Sequence, residues 1–238
     1  MSLFLSHRGE SDDAPENTIP AFQLAMDRDS DGIELDIRRT SDGFVVVVHD
    51  EDLMRVANSP LKIGETTLED LQKVHPVPLL KEMLKVLKPG KHLQIELKGT
   101  DMELVPGLER VLSESGVDRS QLALSSFEEG TIALAAGTFP DLPRLLLTDL
   151  MALFGYFPTA GEVADYLRKY QCTGVSFKAD FSADAAFVQG LHDLGFRVVC
   201  WGVSSDELGL AMDSIGVDAM TCNHAVALRA KQRAGKRS

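Results

Sequence analysis

Short runs of strand-forming residues recur along the chain at 3–6, 32–37, 93–97, 122–125, 144–147, 174–177, 197–201 and 218–222. Most are separated by helical patterns. Between 17 and 29, Ile19, Phe22, Ala25 and Met26 fall on one helix face. The stretches 102–113 and 184–194 are amphipathic in the same way, and Ser204 with Glu207 predicts a capping box after the seventh run. Strand–helix alternation argues for parallel pairing with the helices outside. At about 30 residues per βα unit, eight units need about 240 residues, and the chain has 238. The expected fold is therefore an α/β (β/α)8 TIM barrel forming a single domain over 1–238.

One gap is irregular. The second and third runs stand roughly 61 residues apart. An Asp42-Gly43 turn, the apolar run 44–48 and His49-Asp50 come first. Thr66 and Glu69 then predict a capping box for a helix over 68–74, and a second helix is expected over 78–87. The second unit thus carries a hairpin and an insertion at about 51–76. An insertion there lies over the C-terminal mouth of a barrel, where substrates bind.

Composition bounds the partners. Asp and Glu outnumber Lys and Arg by 36 to 24, for a net charge of −12. Such a surface repels nucleic acid and anionic membrane, so neither nucleic-acid binding nor membrane insertion is expected. A small anion is still admissible where a few local cations or a metal reverse the sign. Cys172, Cys200 and Cys222 are too few and too scattered for a disulfide framework or a zinc knuckle. The opening residues hold no secretory apolar core, and no run approaches the ~20 residues of a membrane span, so a cytoplasmic location is expected. The basic stretch 229–238 reads as a frayed tail.

Ionisable residues collect at the strand ends. His7-Arg8-Gly9 joins a titratable base, a planar cation and a glycine that admits close backbone approach, a combination suited to an anion. Glu34 and Asp36 stand two apart on the second run and so share a face. Two carboxylates inside a barrel repel and lose hydration unless a positive charge neutralises them, and a divalent cation does this with hard oxygen ligands. The alternative is an outward acidic pair, with Ile33, Leu35 and Ile37 filling the barrel. Glu96 and Lys98 repeat the spacing on the third run. Glu96 could complete the trio, leaving Lys98 to meet a substrate anion or to bridge to Asp36. His49 offers a second proton carrier, and Asp50 either orients it or simply starts the turn.

Read in order, His7-Arg8-Gly9, Ala14-Pro15-Glu16-Asn17-Thr18, Gly32-Ile33-Glu34-Leu35-Asp36, His49-Asp50, Val77-Pro78-Leu79-Leu80-Lys81-Glu82-Met83-Leu84, Glu96-Leu97-Lys98 and Trp201 resemble the glycerophosphodiester phosphodiesterase family. The resemblance implies a (β/α)8 barrel that hydrolyses a glycerophosphodiester to glycerol 3-phosphate and an alcohol. It implies one divalent cation, Mg²⁺ or Ca²⁺, held by Glu34, Asp36 and Glu96. It implies His7 and His49 as the acid/base pair, with Arg8 and Lys98 on the phosphate. Trp201 and Phe127, each at a strand end, are candidates for contact with the glycerol carbons. A small-molecule substrate is the partner expected, and a homo-oligomer stays open.

Two positions depart from the family pattern. Asn223 stands where an acidic residue is usual, and Gly202-Val203-Ser204 replaces the usual sequence after Trp201. Lys178 is either a cation at the mouth or a solvated side chain. The apolar stretch 150–158 is either a wall for the leaving group or a loop packed on the next helix. Another divalent-metal barrel enzyme, of aldolase or isomerase type, would not need Arg8 beside His7. A non-catalytic phosphodiester binder is expected to lack a ligand or a histidine.

Overall fold

The computed structural model describes residues 2–235. Eight parallel strands close a barrel: β1 Leu3–His7, β2 Gly32–Arg39, β4 His92–Leu97, β5 Leu122–Ser126, β6 Arg144–Thr148, β7 Gly174–Lys178, β8 Arg197–Trp201 and β9 Ala219–Cys222. Closure is the β1–β2 pairing, with His7 opposite Glu34. The hairpin strand β3, Val45–Val47, adds antiparallel to β2 on the outside, pairing Ile37 with Val47. Helices follow most strands, among them α1 Ile19–Asp27, α5 Leu104–Ser115, α6 Glu129–Thr138, α8 Ala160–Lys169, α9 Ala185–Asp193, α10 Asp206–Ile215 and α11 Ala225–Gly235.

Alternation along the strands sorts the residues into two environments. Ile33, Leu35 and Ile37 of β2 are fully buried with Phe22 and Ala25 of α1 in the layer between sheet and helices. Their neighbours Glu34 and Asp36 point the other way, into the barrel, which removes the outward acidic pair from consideration. Leu5, Leu145, Val199 and Ala219 pack together as the apolar floor of the interior. Above them Gln94 donates to Ser125 at 3.2 Å, so polarity rises toward the C-terminal mouth.

Gly9 is demanded by the helix. Its φ is +83°, and a Cβ there would lie 2.7 Å from backbone and side-chain atoms of Ala21. The close approach that this glycine permits is therefore that of α1 rather than that of an anion.

Several helix starts differ from the sequence reading. α3, Leu68–Val74, is capped by Thr67, whose hydroxyl accepts from the Asp70 N–H, instead of by Thr66 with Glu69. α10 is capped by Ser205 instead of Ser204. In both places two adjacent hydroxyl residues compete, and sequence spacing alone does not rank them. Ile19 is exposed although it shares the apolar face of α1, as the first residue of the helix. The helix expected over 78–87 is the single turn α4, Leu80–Met83.

The C-terminal stretch is not frayed as far as residue 235. α11 buries Ala225 and Leu228, and Arg229 stacks over Phe4 while pairing with Asp31 at 2.5 Å. Lys236, Arg237 and Ser238 lie outside the described residues. Among the described residues, no helix is long and apolar enough to cross a membrane.

Candidate active site

The ends of β1, β2 and β4 bring the acidic residues together. Asp36 and Glu96 are direct neighbours in the β2–β4 register. One carboxylate oxygen each from Glu34, Asp36 and Glu96 lies within 4.8 Å of the others, and all three residues are buried. At that separation each pair of full charges repels by roughly 3 kcal/mol at an effective dielectric of ~20. Two cations stand against them. Lys98 Nζ lies 3.1 Å from Asp36 Oδ1 and 2.5 Å from Glu96 Oε1, and Arg8 Nε lies 3.0 Å from Asp36 Oδ2. The Lys98–Asp36 bridge weighed from the sequence thus exists, alongside a second one to Glu96.

The charge balance is incomplete, and the carboxylates respond differently. Lys98 and Arg8, outweighing burial, hold Asp36 below the ordinary carboxylate range, helped by a 2.8 Å hydrogen bond from Asn17 Nδ2. Burial, then the charge of Asp36, pushes Glu96 up to about 7. Glu34 is driven well above its ordinary value by burial and by both acidic neighbours. Asp36 Oδ1 is buried and receives no aligned hydrogen bond, despite the nearby ammonium. Three convergent carboxylates set against two cations, with Asp36 Oδ1 lacking an aligned hydrogen bond, fit a hard divalent cation.

The raised value for Glu96 has a measurable consequence. Its ordinary value is 4.5, so the protonated form favours the folded state. That stability is complete below about pH 4.5 and is lost as pH rises through about 7, amounting to about 3 kcal/mol. His7 and His49 contribute with the opposite sign over part of this window. The clean measurement is therefore the difference between the wild-type chain and Glu96→Gln, both with chelator present. We expect that difference in thermal midpoint to change by roughly 5–10 °C between pH 5 and pH 8. An unchanged difference would contradict a buried Glu96 carboxyl raised by burial and by the Asp36 charge.

The two histidines flank this cluster at the mouth. His7 ends β1; its Nδ1 meets Asn223 Oδ1 at 2.7 Å and its Nε2 lies 3.9 Å from Glu34 Oε2. His49 follows β3, and its Nδ1 meets Asp50 Oδ1 at 2.7 Å. An amide or carboxylate oxygen only accepts, so in each ring Nδ1 carries the hydrogen and Nε2 is free to exchange a proton. Burial holds both histidines below the ordinary imidazole value.

Arg8 sits in the left-handed region at φ +57°, with its N–H bonded to the Glu34 carbonyl at 2.9 Å. It is not free: besides Asp36, its guanidinium bonds Glu16 at 2.9 Å. Arg55 of α2, Met54–Ala57, grips both oxygens of Glu16 at 3.0 and 2.6 Å and also Asp50 at 2.6 Å. The sequence alone assigns no role to Asn17, Glu16, Asn223 or Arg55. The first two lie in the Ala-Pro-Glu-Asn-Thr stretch, whose density of polar residues after a strand was the available signal. The other two are recognisable only from contacts that span 216 and 39 positions.

A cavity of about 530 Å³ opens over the cluster, lined by His7, Arg8, Glu34, His49, Glu96 and Lys98, and walled by Phe127 and Trp201. Those two rings meet edge to face at 5.3 Å, and Lys98 Nζ lies 5.8 Å from the Phe127 centroid. Lys178 is half exposed and paired with Asp149 at 3.0 Å. The stretch 150–158 opens as helix α7, Leu150–Phe154; Phe154 packs on Tyr166 and Phe157 on Phe187, so these rings are anchored to α8 and α9. Met151 and Tyr156 stay exposed.

Comparison with known proteins places this geometry. The model of the glycerophosphoryl diester phosphodiesterase family matches residues 7–227. A glycerophosphodiester phosphodiesterase of Caldanaerobacter subterraneus subsp. tengcongensis is 37% identical over 235 residues, covering 92% of this chain and 93% of the relative. The crystal structure of a glycerophosphodiester phosphodiesterase from Thermotoga maritima superposes with a TM-score of 0.78 at 26% identity, covering 97% of this chain and 98% of that one. A phosphodiesterase of Oleispira antarctica, solved with the product sn-glycerol-3-phosphate, shares the fold with a TM-score of 0.83 at 24% identity, covering 100% and 98%.

Proposed function

The chain belongs to the glycerophosphoryl diester phosphodiesterase family, and on that premise we propose that it cleaves glycerophosphodiesters to glycerol 3-phosphate and an alcohol, using His7 and His49 for proton transfer beside a divalent cation at Glu34, Asp36 and Glu96. It is an enzyme of that class, a phosphoric diester hydrolase. The observation that carries the mechanistic reading is the cluster of three buried carboxylates beneath one cavity that Glu34, Glu96 and two imidazoles line.

The hard oxygen donors suit Mg²⁺ or Ca²⁺. Such a cation, when bound, supplies positive charge where the phosphodiester gains negative charge on the way to its transition state. The chain's own groups do the rest. Lys98 carries three donors and Arg8 five, more than their carboxylate partners occupy, so both can face a phosphate oxygen. Phe127 and Trp201 form an apolar wall against which glycerol carbons can rest. One histidine takes the proton from the attacking hydroxyl through Nε2 and the other delivers a proton to the departing alcohol. Attack by the neighbouring glycerol hydroxyl and direct attack by water both end in glycerol 3-phosphate.

The test is turnover on a panel of glycerophosphodiesters differing in alcohol, assayed for glycerol 3-phosphate. Release of that product across the panel supports the reading. Release of free glycerol with the phosphate left on the alcohol, or no turnover with any member in the presence of either metal, would overturn it.

A further inference from the structure

The insertion contributes a side chain that the mechanism above does not use. We propose that Arg55 is a positioning residue that fixes His49 for proton transfer, an inference that rests on the assignment of His49 as a proton carrier. The Arg55 guanidinium is engaged at all three nitrogens. Its Nε donates to Asp50 Oδ2 at 2.6 Å, and its two terminal nitrogens donate to the two oxygens of Glu16 at 3.0 and 2.6 Å. The other oxygen of Asp50 accepts from His49 Nδ1 at 2.7 Å. Asp50 therefore stands between a fixed cation and the imidazole, and it can turn away from neither without breaking a charge-assisted bond.

Asp50 without Arg55 would be a poor anchor. It follows His49 directly in the chain and is partly open to water, so its carboxylate could swing to solvent and release the ring. Arg55 ties it to Glu16, which is itself bound to Arg8 at the end of β1. The backbone on the other side is held as well, because Arg38 Nε donates to the His49 carbonyl at 2.9 Å. His49 is thus braced from the barrel through Arg38 and from the insertion through Arg55. The planar fork serves three oxygens on two carboxylates at once, which a lysine ammonium on a flexible stem cannot reproduce.

Arg55 is half exposed, and exposed ion pairs add little to stability, so a purely structural role would leave turnover almost untouched. The test is a double-mutant cycle with steady-state kinetics on one glycerophosphodiester, with circular dichroism confirming the fold. With His49 present, Arg55→Gln is expected to lower kcat about tenfold, with KM changed less than about twofold, since a catalytic group displaced by a fraction of its reach loses rate and not binding. Arg55→Lys keeps the charge and is expected to lose nearly as much. In the His49→Ala background the same substitutions are expected to change kcat by less than about twofold, because nothing remains to be positioned. An equal loss in both backgrounds, an effect on KM alone, or full activity of Arg55→Gln would overturn the proposal. Full activity of His49→Ala would instead remove the proton-transfer assignment beneath it, and the proposal with it.

Discussion

Alanine at His7 or at His49 is expected to lower kcat by about 10²–10⁴-fold, the range supplied by a positioned proton carrier. Both rings are held through Nδ1, by Asn223 and by Asp50, which leaves Nε2 of each to exchange a proton. Both side chains are about one-third exposed, so their removal leaves no large cavity and the fold should persist. Binding should change little, because Arg8 and Lys98 remain to meet the phosphate. The two variants should differ in one respect. An aryl alcohol leaves without a proton, so the variant that has lost the acid should regain activity on an aryl ester. The variant that has lost the base should not. Steady-state kinetics on alkyl and aryl esters therefore reports both the size of each contribution and its direction. A variant as fast as the parent on alkyl esters would remove that histidine from the mechanism.

Chelation of divalent metal is expected to reduce turnover by about 10³-fold or more, several kcal/mol of lost charge stabilisation. The reason lies in the excess of carboxylate over cation at the end of β2. Burial and both acidic neighbours favour the protonated form of Glu34, and Lys98 is occupied by Asp36 and Glu96. Added Mg²⁺ or Ca²⁺ should restore activity, and restoration should be weaker at pH 6 than at pH 8, because the ligands must first lose their protons. Chelated enzyme turning over at the parent rate would exclude the cation from the reaction.

The barrel was legible because buried parallel strands read as short continuous apolar runs, and each run at 93–97, 122–125 or 174–177 falls within the strand found there. The acidic trio was legible for a related reason. A two-residue spacing puts Glu34 and Asp36 on one face whatever the surroundings, and Asp36 then meets Glu96 through strand register. Contacts that depend on how loops fold back were not legible. Nothing in the local pattern links His7 to Asn223 or Arg55 to Glu16, since these pairs are set by barrel closure and by the path of the insertion. Asn17 was hidden for another reason. Its left-handed φ of +55° and its hydrogen bond to Asp36 identify it as a brace, whereas an asparagine before Thr18 reads only as part of a helix start. Adjacent hydroxyl residues blurred the helix starts by one position at Thr67 and Ser205.

The most direct measurement of the central claim is the position of Mn²⁺ in crystals of the metal-free enzyme, located by its anomalous scattering. A single strong site is expected with oxygens of Glu34, Asp36 and Glu96 within about 2.0–2.6 Å, and it should vanish in Glu34→Gln, Asp36→Asn and Glu96→Gln. Metal bound elsewhere at full occupancy, with Lys98 still bridging Asp36 and Glu96, would contradict the account.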